Sequence, residues 1–108
     1  MAYRIVYTAH ARDDLREVFF YLTNVLFQKR YISNFLIEMD QDLALITDNP
    51  YLFSAFTVEP WYSRGWRRFT INKYVVFYQV DDKNKTVYVM AVFYGSRDIE
   101  AILRREFL

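Results

Sequence analysis

The sequence predicts an α+β fold. An N-terminal strand leads into a helical hairpin, then a three-strand antiparallel meander and a short C-terminal helix, with the helices packed on one sheet face. Three observations carry this reading. A short β-branched and aromatic run opens the chain, apolar residues recur every three or four positions from Ala11 to Leu26, and two strand-like runs flank the polar turn "DDKNK". At 108 residues with only two glycines and two prolines, the chain reads as one domain, 1–108, without linker or repeat.

The first strand is "YRIVYT", Tyr3 to Thr8, and the Thr8 hydroxyl is placed to cap a following helix. That helix spans Ala9 to about Phe27, with Ala11, Leu15, Val18, Leu22 and Leu26 forming one apolar stripe. Phe20 and Phe27 fall off the stripe, beside Arg12, Arg16 and Glu17, and are candidate partner contacts. A second helix covers Lys29 to Thr47, turning Tyr31, Ile32, Phe35, Met39, Leu43 and Ile46 inward until "DNP" stops it. Tyr51 to Arg64 has no period and is expected to cross one end of the sheet as a loop.

Strands follow at Trp66–Ile71, Tyr74–Val80 and Thr86 to Phe93 or Tyr94. Simple alternation places Val87, Val89, Ala91 and Phe93 on one face and Tyr88, Met90, Val92 and Tyr94 on the other. The smoother face is assigned to the helices. The aromatic, arginine-bearing face, with Arg68 and Tyr94, is expected to stay open to water. Arg67 shares the parity of Phe69 and Ile71, so it is expected to pair with a helix carboxylate. Asp98 is placed to cap the last helix, and His10 is expected on the surface with no catalytic role.

Composition narrows the function. Fourteen Lys and Arg against 13 Asp and Glu give a net charge of +1, which excludes a strongly basic nucleic-acid footprint over the whole chain. Local basic segments remain at Arg64, Arg67 and Arg68 and at Arg97, Arg104 and Arg105. The chain has no cysteine and one histidine, so neither a thiolate zinc site nor a histidine-rich one can form, and no metal or cofactor is expected. No run approaches the roughly 18 apolar residues of a membrane span, and a cytoplasmic protein is expected. Twenty aromatic rings from Tyr and Phe exceed what a small core easily buries, which points to a partner surface.

The arginine-rich strand and turn "WRRFTINKYVVFYQVDD" and the corner "VFYGSRDIEAIL" resemble the RelE/ParE superfamily of type II toxins, the plasmid-stabilisation type. The resemblance covers nearly the whole chain. It implies a growth-inhibiting bacterial or archaeal toxin neutralised by a cognate antitoxin, in a hetero-oligomer, with antitoxin helix or strand lying in grooves beside the hairpin. Phe20, Phe27, Trp61 and Tyr62 are the expected contacts. Each also has an ordinary reading as a partly buried side chain.

RelE-like members are ribosome-dependent mRNA endonucleases, or mRNA interferases, and ParE-like members inhibit DNA gyrase. An endonuclease needs phosphate-binding cations and an aromatic that stacks a base or takes a proton, and Arg68, Tyr94 and Arg97 have those chemistries. Against that reading, Val75 stands where RelE-like enzymes carry an arginine. The terminal segment ends in Phe107 and Leu108 without a tyrosine. The resemblance therefore leans toward gyrase inhibition, with the ribosome-bound mRNA target and an inactive, binding-only member as alternatives.

Overall fold

The computed structural model describes residues 2–95 and 97–108. The elements are β1 (Arg4–Tyr7), α1 (Ala9–Asn24), α2 (Lys29–Asp48), β2 (Trp66–Ile71), β3 (Tyr74–Asp81), β4 (Thr86–Tyr94) and α3 (Ile99–Phe107). They build one four-stranded sheet in the order β1-β4-β3-β2. The meander β2-β3-β4 is antiparallel, and β1 lies parallel to β4. Among the described residues no helix is long and apolar enough to cross a membrane.

Thr8 ends β1 and starts α1 by accepting the Ala11 amide hydrogen on its side chain at 3.1 Å. The predicted stripe is the face that α1 buries, through Ala11, Val18 and Leu22. The helix stops at Asn24, earlier than its periodicity suggests, so Leu26 is exposed. Phe27 then takes a left-handed φ of 54°, and the Gln28 amide reaches back to the Leu22 carbonyl at 2.7 Å. This closes a helix end of the kind that favours glycine, yet the residue there is an aromatic left 80% exposed. Helix α2 buries Phe35, Met39, Leu43 and Ile46 as the pattern predicts.

The hairpin packs on the sheet face that carries Phe69, Ile71, Tyr74, Val76, Tyr78, Val87, Val89 and Val92. The opposite face was expected to be open and is not. A second core fills it, joining Trp66, Val75, Phe77, Ala91 and Phe93 to Phe56 and Trp61 of the 51–65 loop and to Ile102 and Leu103 of α3.

Strand β3 alternates between the two cores, Tyr74, Val76 and Tyr78 toward the hairpin and Val75 and Phe77 toward the second core, and β4 joins both through a register shift. Phe77 pairs with Ala91 but Tyr78 pairs with Val89, so Met90 is an extra residue in β4. Before it, Val87 and Val89 face the hairpin; after it, Ala91 and Phe93 face the second core and Val92 returns to the first. Simple alternation therefore failed from Met90 onward, and Tyr94 lies on the hairpin side, its ring 5.4 Å from that of Tyr74.

Two further expectations are corrected here. Trp61 is fully buried in the second core and so presents no surface to a partner. Arg67 makes no ion pair with a helix carboxylate: its guanidinium donates to the Phe53 carbonyl at 2.6 Å and lies 4.8 Å from the Tyr51 ring centre. The residue is structural, as its parity suggested, but it holds the loop and not a helix. Tyr78 adds to this anchoring by donating its buried hydroxyl to the Pro50 carbonyl at 2.9 Å, and the Asp82 carboxylate accepts hydrogen bonds from Tyr51 and Tyr3.

Two stability changes follow. Phe27→Gly relieves a left-handed aromatic and should stabilise the protein by about 1 kcal/mol, read as a rise in Tm. Leu103→Ala empties a fully buried position and should cost about 2–5 kcal/mol. A neutral Leu103→Ala would mean that α3 contributes nothing to the fold.

Candidate functional site

A concavity lies where α1 and the bend into α2 meet the start of β3 and the end of β4. Its volume is about 880 Å³. Helix α1 contributes Asp14, Glu17, Val18, Tyr21 and Leu22, and the bend into α2 contributes Leu26, Gln28 and Tyr31. The opposite wall is the β2–β3 turn, Asn72 and Lys73, with Tyr74, Val92, Tyr94 and Arg97. The floor is apolar, four tyrosines ring it, two carboxylates stand on one side and two cations on the other. Such a surface suits an amphipathic ligand carrying charge of both signs.

The Tyr31 and Tyr74 hydroxyls are not primed as bases. Burial pushes the Tyr74 and Tyr31 hydroxyls above their ordinary range, and neighbouring tyrosines add to the shift at Tyr74. The corner that follows β4 is tight: a Cβ on Gly95 would sit 3.0 Å from the Lys73 carbonyl oxygen, while the Gly95 amide already donates to that oxygen at 2.6 Å. This packing sets the β2–β3 turn against the strand end and brings Lys73 and Arg97 to one wall. Ser96, between them in the motif, lies outside the described residues.

Asp14 is the residue that sequence reasoning missed. Strand β1 ends at Tyr7, paired with Val89, so β4 runs on past its neighbour with a free edge. Thr8 donates its hydroxyl to the Val89 carbonyl at 2.9 Å, and Asp14 accepts the Val92 amide hydrogen at 2.9 Å. A carboxylate thereby takes the place of a missing strand. Its signal was present: Asp14 lies three residues after Ala11 and four before Val18, on the buried stripe. Burial raises its carboxyl to about 6, partly offset by the Val92 amide and by His10.

The candidate catalytic residues do not assemble. Tyr94 and Arg97 line the same cavity, with the Arg97 guanidinium 5.9 Å from the Phe93 ring centre. Arg68 is exposed on the other side of the sheet, its guanidinium 5.8 Å from the ring of Phe56 in the second core. Val75, at the position of the absent arginine, is buried in that same core. Asp98 caps α3 by accepting the Ala101 amide hydrogen at 3.2 Å.

Of the expected partner contacts, Phe20, Phe27 and Tyr62 are exposed. Phe20 borders a shallow apolar depression with Arg16, Glu17, Tyr21 and Val25. Glu17 and Tyr21 also line the large cavity, so the two are contiguous. Tyr62 belongs to the turn that ends at Gly65, over the second core, and does not line either hollow.

Residues 5–99 match the family model described as ParE toxin of type II toxin-antitoxin system, parDE. No curated protein sequence matches the chain. Among solved structures, an Escherichia coli toxin RelE double-arginine mutant in the free state is similar at a TM-score of 0.66 with 16% identity, covering 100% of both chains. The chromosomal ParDE toxin-antitoxin system of Pseudomonas aeruginosa gives 0.65 and 13%, covering 86% of this chain and 96% of that one. The RelBE2 toxin-antitoxin complex of Mycobacterium tuberculosis gives 0.61 and 18%, covering 87% and 99%. At these identities the likeness is one of fold.

Asp14 generates a pH-dependent expectation. Its folded-state value of about 6 lies above the ordinary 3.8, so the folded protein holds the proton more tightly. Stability from this group is therefore full below about pH 4 and declines as pH rises to about 6. Asp14→Asn keeps an acceptor for Val92 but cannot ionise. Its Tm relative to wild type should climb across that window and level off above it; a flat difference would remove Asp14 as the titrating group.

Proposed function

The chain belongs to the ParE toxin family of type II toxin-antitoxin systems, and from that premise we propose that it inhibits growth by docking on a protein target, DNA gyrase, without cutting RNA. One observation carries the choice: the sheet itself separates Arg68, beside Phe56 in the second core, from Tyr94, whose ring meets Tyr74 on the hairpin side. Phosphoryl chemistry on a ribose 2′-hydroxyl requires its base and its cations within hydrogen-bond reach of one phosphate. The filled second face adds support, because an extended RNA needs an open basic platform with rings free to stack. Here Trp61, Trp66, Phe77 and Phe93 spend their faces on one another.

The cavity beside the hairpin is the proposed seat of the cognate antitoxin. An amphipathic segment could bury apolar side chains over Val18, Leu22 and Leu26 while placing a basic group toward Glu17 and an acidic one toward Lys73 and Arg97. Phe20 and Phe27 extend that surface at the hairpin end. One specific feature favours the RelE-like alternative, namely that Tyr94 and Arg97 share one cavity, where they could hold a base and a phosphate.

Two parallel reactions separate these accounts. In a DNA supercoiling reaction the purified toxin should inhibit gyrase, and in a cell-free translation reaction it should leave mRNA ends unchanged by primer extension. Ribosome-dependent cuts that fall by about 10²-fold or more in Arg97→Ala would instead establish the endonuclease. A toxin that shows neither activity, with antitoxin binding intact, would be a binding-only member.

A further inference from the structure

Helix α3 seats Ile102, Leu103 and Phe107 on the second core. On its side toward α1, Glu106 meets the chain's single histidine. His10 Nε2 lies 2.6 Å from Glu106 Oε1, and Nδ1 lies 3.0 Å from Asp14 Oδ2, off the line of a hydrogen bond. The imidazole is wedged against Phe107, ring centres 4.5 Å apart, and stands edge-on to Phe93. The three polar side chains are largely shielded, at 26% exposure for His10, 13% for Asp14 and 31% for Glu106.

Each ring nitrogen thus faces a carboxylate oxygen. Only the doubly protonated ring, with an N–H on both sides and a positive charge, suits both neighbours; the neutral ring turns a lone pair toward one of them. The other charges nearby do not replace it. Arg105 bonds the far oxygen of Glu106 at 3.0 Å but is itself 66% exposed. Arg64 reaches only the Phe107 carbonyl, at 3.5 Å, and Arg97 lies over the Phe93 ring. From β4 the Val92 amide faces the cluster and is already held by Asp14.

We propose that protonated His10 is a latch that fastens α3 to α1, and that loss of its proton loosens α3 from the second face of the sheet. Without the imidazolium, the Glu106 carboxylate of α3 and the Asp14 carboxylate of α1 confront a neutral ring in a partly dry site, and α3 is the element free to move away. The pH window follows. Although burial pushes Glu106 upward, hydrogen bonds from His10 and Arg105 hold it below its ordinary range, so it is ionised throughout the neutral region. Asp14 joins it above about 6. The latch holds while both ring nitrogens carry protons and opens when one of them is lost. Opening uncovers an aromatic face built from Trp66, Phe77 and Phe93, a surface distinct from the cavity beside the hairpin.

The protein carries its own reporters. Its two tryptophans both lie in the second core, Trp66 edge-on to Phe107 with centres 5.2 Å apart and Trp61 beneath the Arg104 guanidinium at 5.5 Å. With one histidine and no cysteine, few groups in the chain titrate between about pH 6 and about pH 9. Acrylamide quenching of tryptophan emission should rise by about twofold or more over that range in the wild type. His10→Gln should be quenched readily at every pH, and Glu106→Gln, which no longer requires a charged partner, should show no step. Far-UV circular dichroism checks that each variant is folded, and should His10→Gln fail to fold, Glu106→Gln decides alone. Flat quenching in the wild type overturns the latch. So does a step that survives in either folded variant, because the titrating group would then be another, such as the α-amino terminus.

Discussion

The extra residue at Met90 is the constraint on which the rest of the structure depends. Strand β3 serves both cores by plain alternation, Tyr74, Val76 and Tyr78 toward the hairpin and Val75 and Phe77 toward α3 and the loop, so the sheet is a middle layer and not a floor. By slipping its register between Val89 and Ala91, β4 sends Val87 and Val89 to the hairpin and Ala91 and Phe93 to the second core. That arrangement explains how a chain with 20% aromatic content can bury so many of its rings, and why α3 must return across the sheet after the corner at Gly95.

The same strand shows how edge pairing and site formation are joined. Strand β1 covers only the first half of β4, and the exposed remainder would be an invitation to further strand pairing. Thr8 and Asp14 close it with side chains. Placing a carboxylate there has a cost, visible in how far burial raises its affinity for a proton, and part of that cost is offset by the Val92 amide and the nearby imidazole. The residue that closes the edge also forms one wall of the cavity and one side of the His10 cluster. Helix, strand edge and terminal helix thus share one charged junction.

What could be read in advance follows from the physics of each signal. The amphipathic stripes of α1 and α2, the Thr8 cap and the meander were legible because each is a local pattern with a fixed period or a local hydrogen bond. The "YGSRD" corner was expected to present Tyr94 and Arg97 at the rim of an open sheet face, and both instead line the cavity beside the hairpin. The bulge was not legible, because Met90 is an ordinary strand residue with neither glycine nor proline to mark it, whereas the continuous apolar run of β3 carried the signal of a strand buried on both faces. Long-range contacts leave no period at all: a separation of 96 positions hides the pairing of His10 with Glu106, and the burial of Trp61 depends on a loop without regular structure. Phe27 was singled out for the right side chain and the wrong reason, since it lies beyond the helix and not on its flank.

The separation of Arg68 from Tyr94 is a consequence of the bulge as well. Had β4 kept strict alternation, Phe93 and the valines before it would share a face, and Tyr94 would share the other with the residues of Arg68's parity. The slip moves Tyr94 to the hairpin side, where its ring meets Tyr74, and leaves Arg68 beside Phe56 on the opposite surface. A single extra residue thereby sends Tyr94 to one face and Ala91 and Phe93 to the other while the strand pairing continues. Strand pairing tolerates the slip, and only the side-chain parity records it.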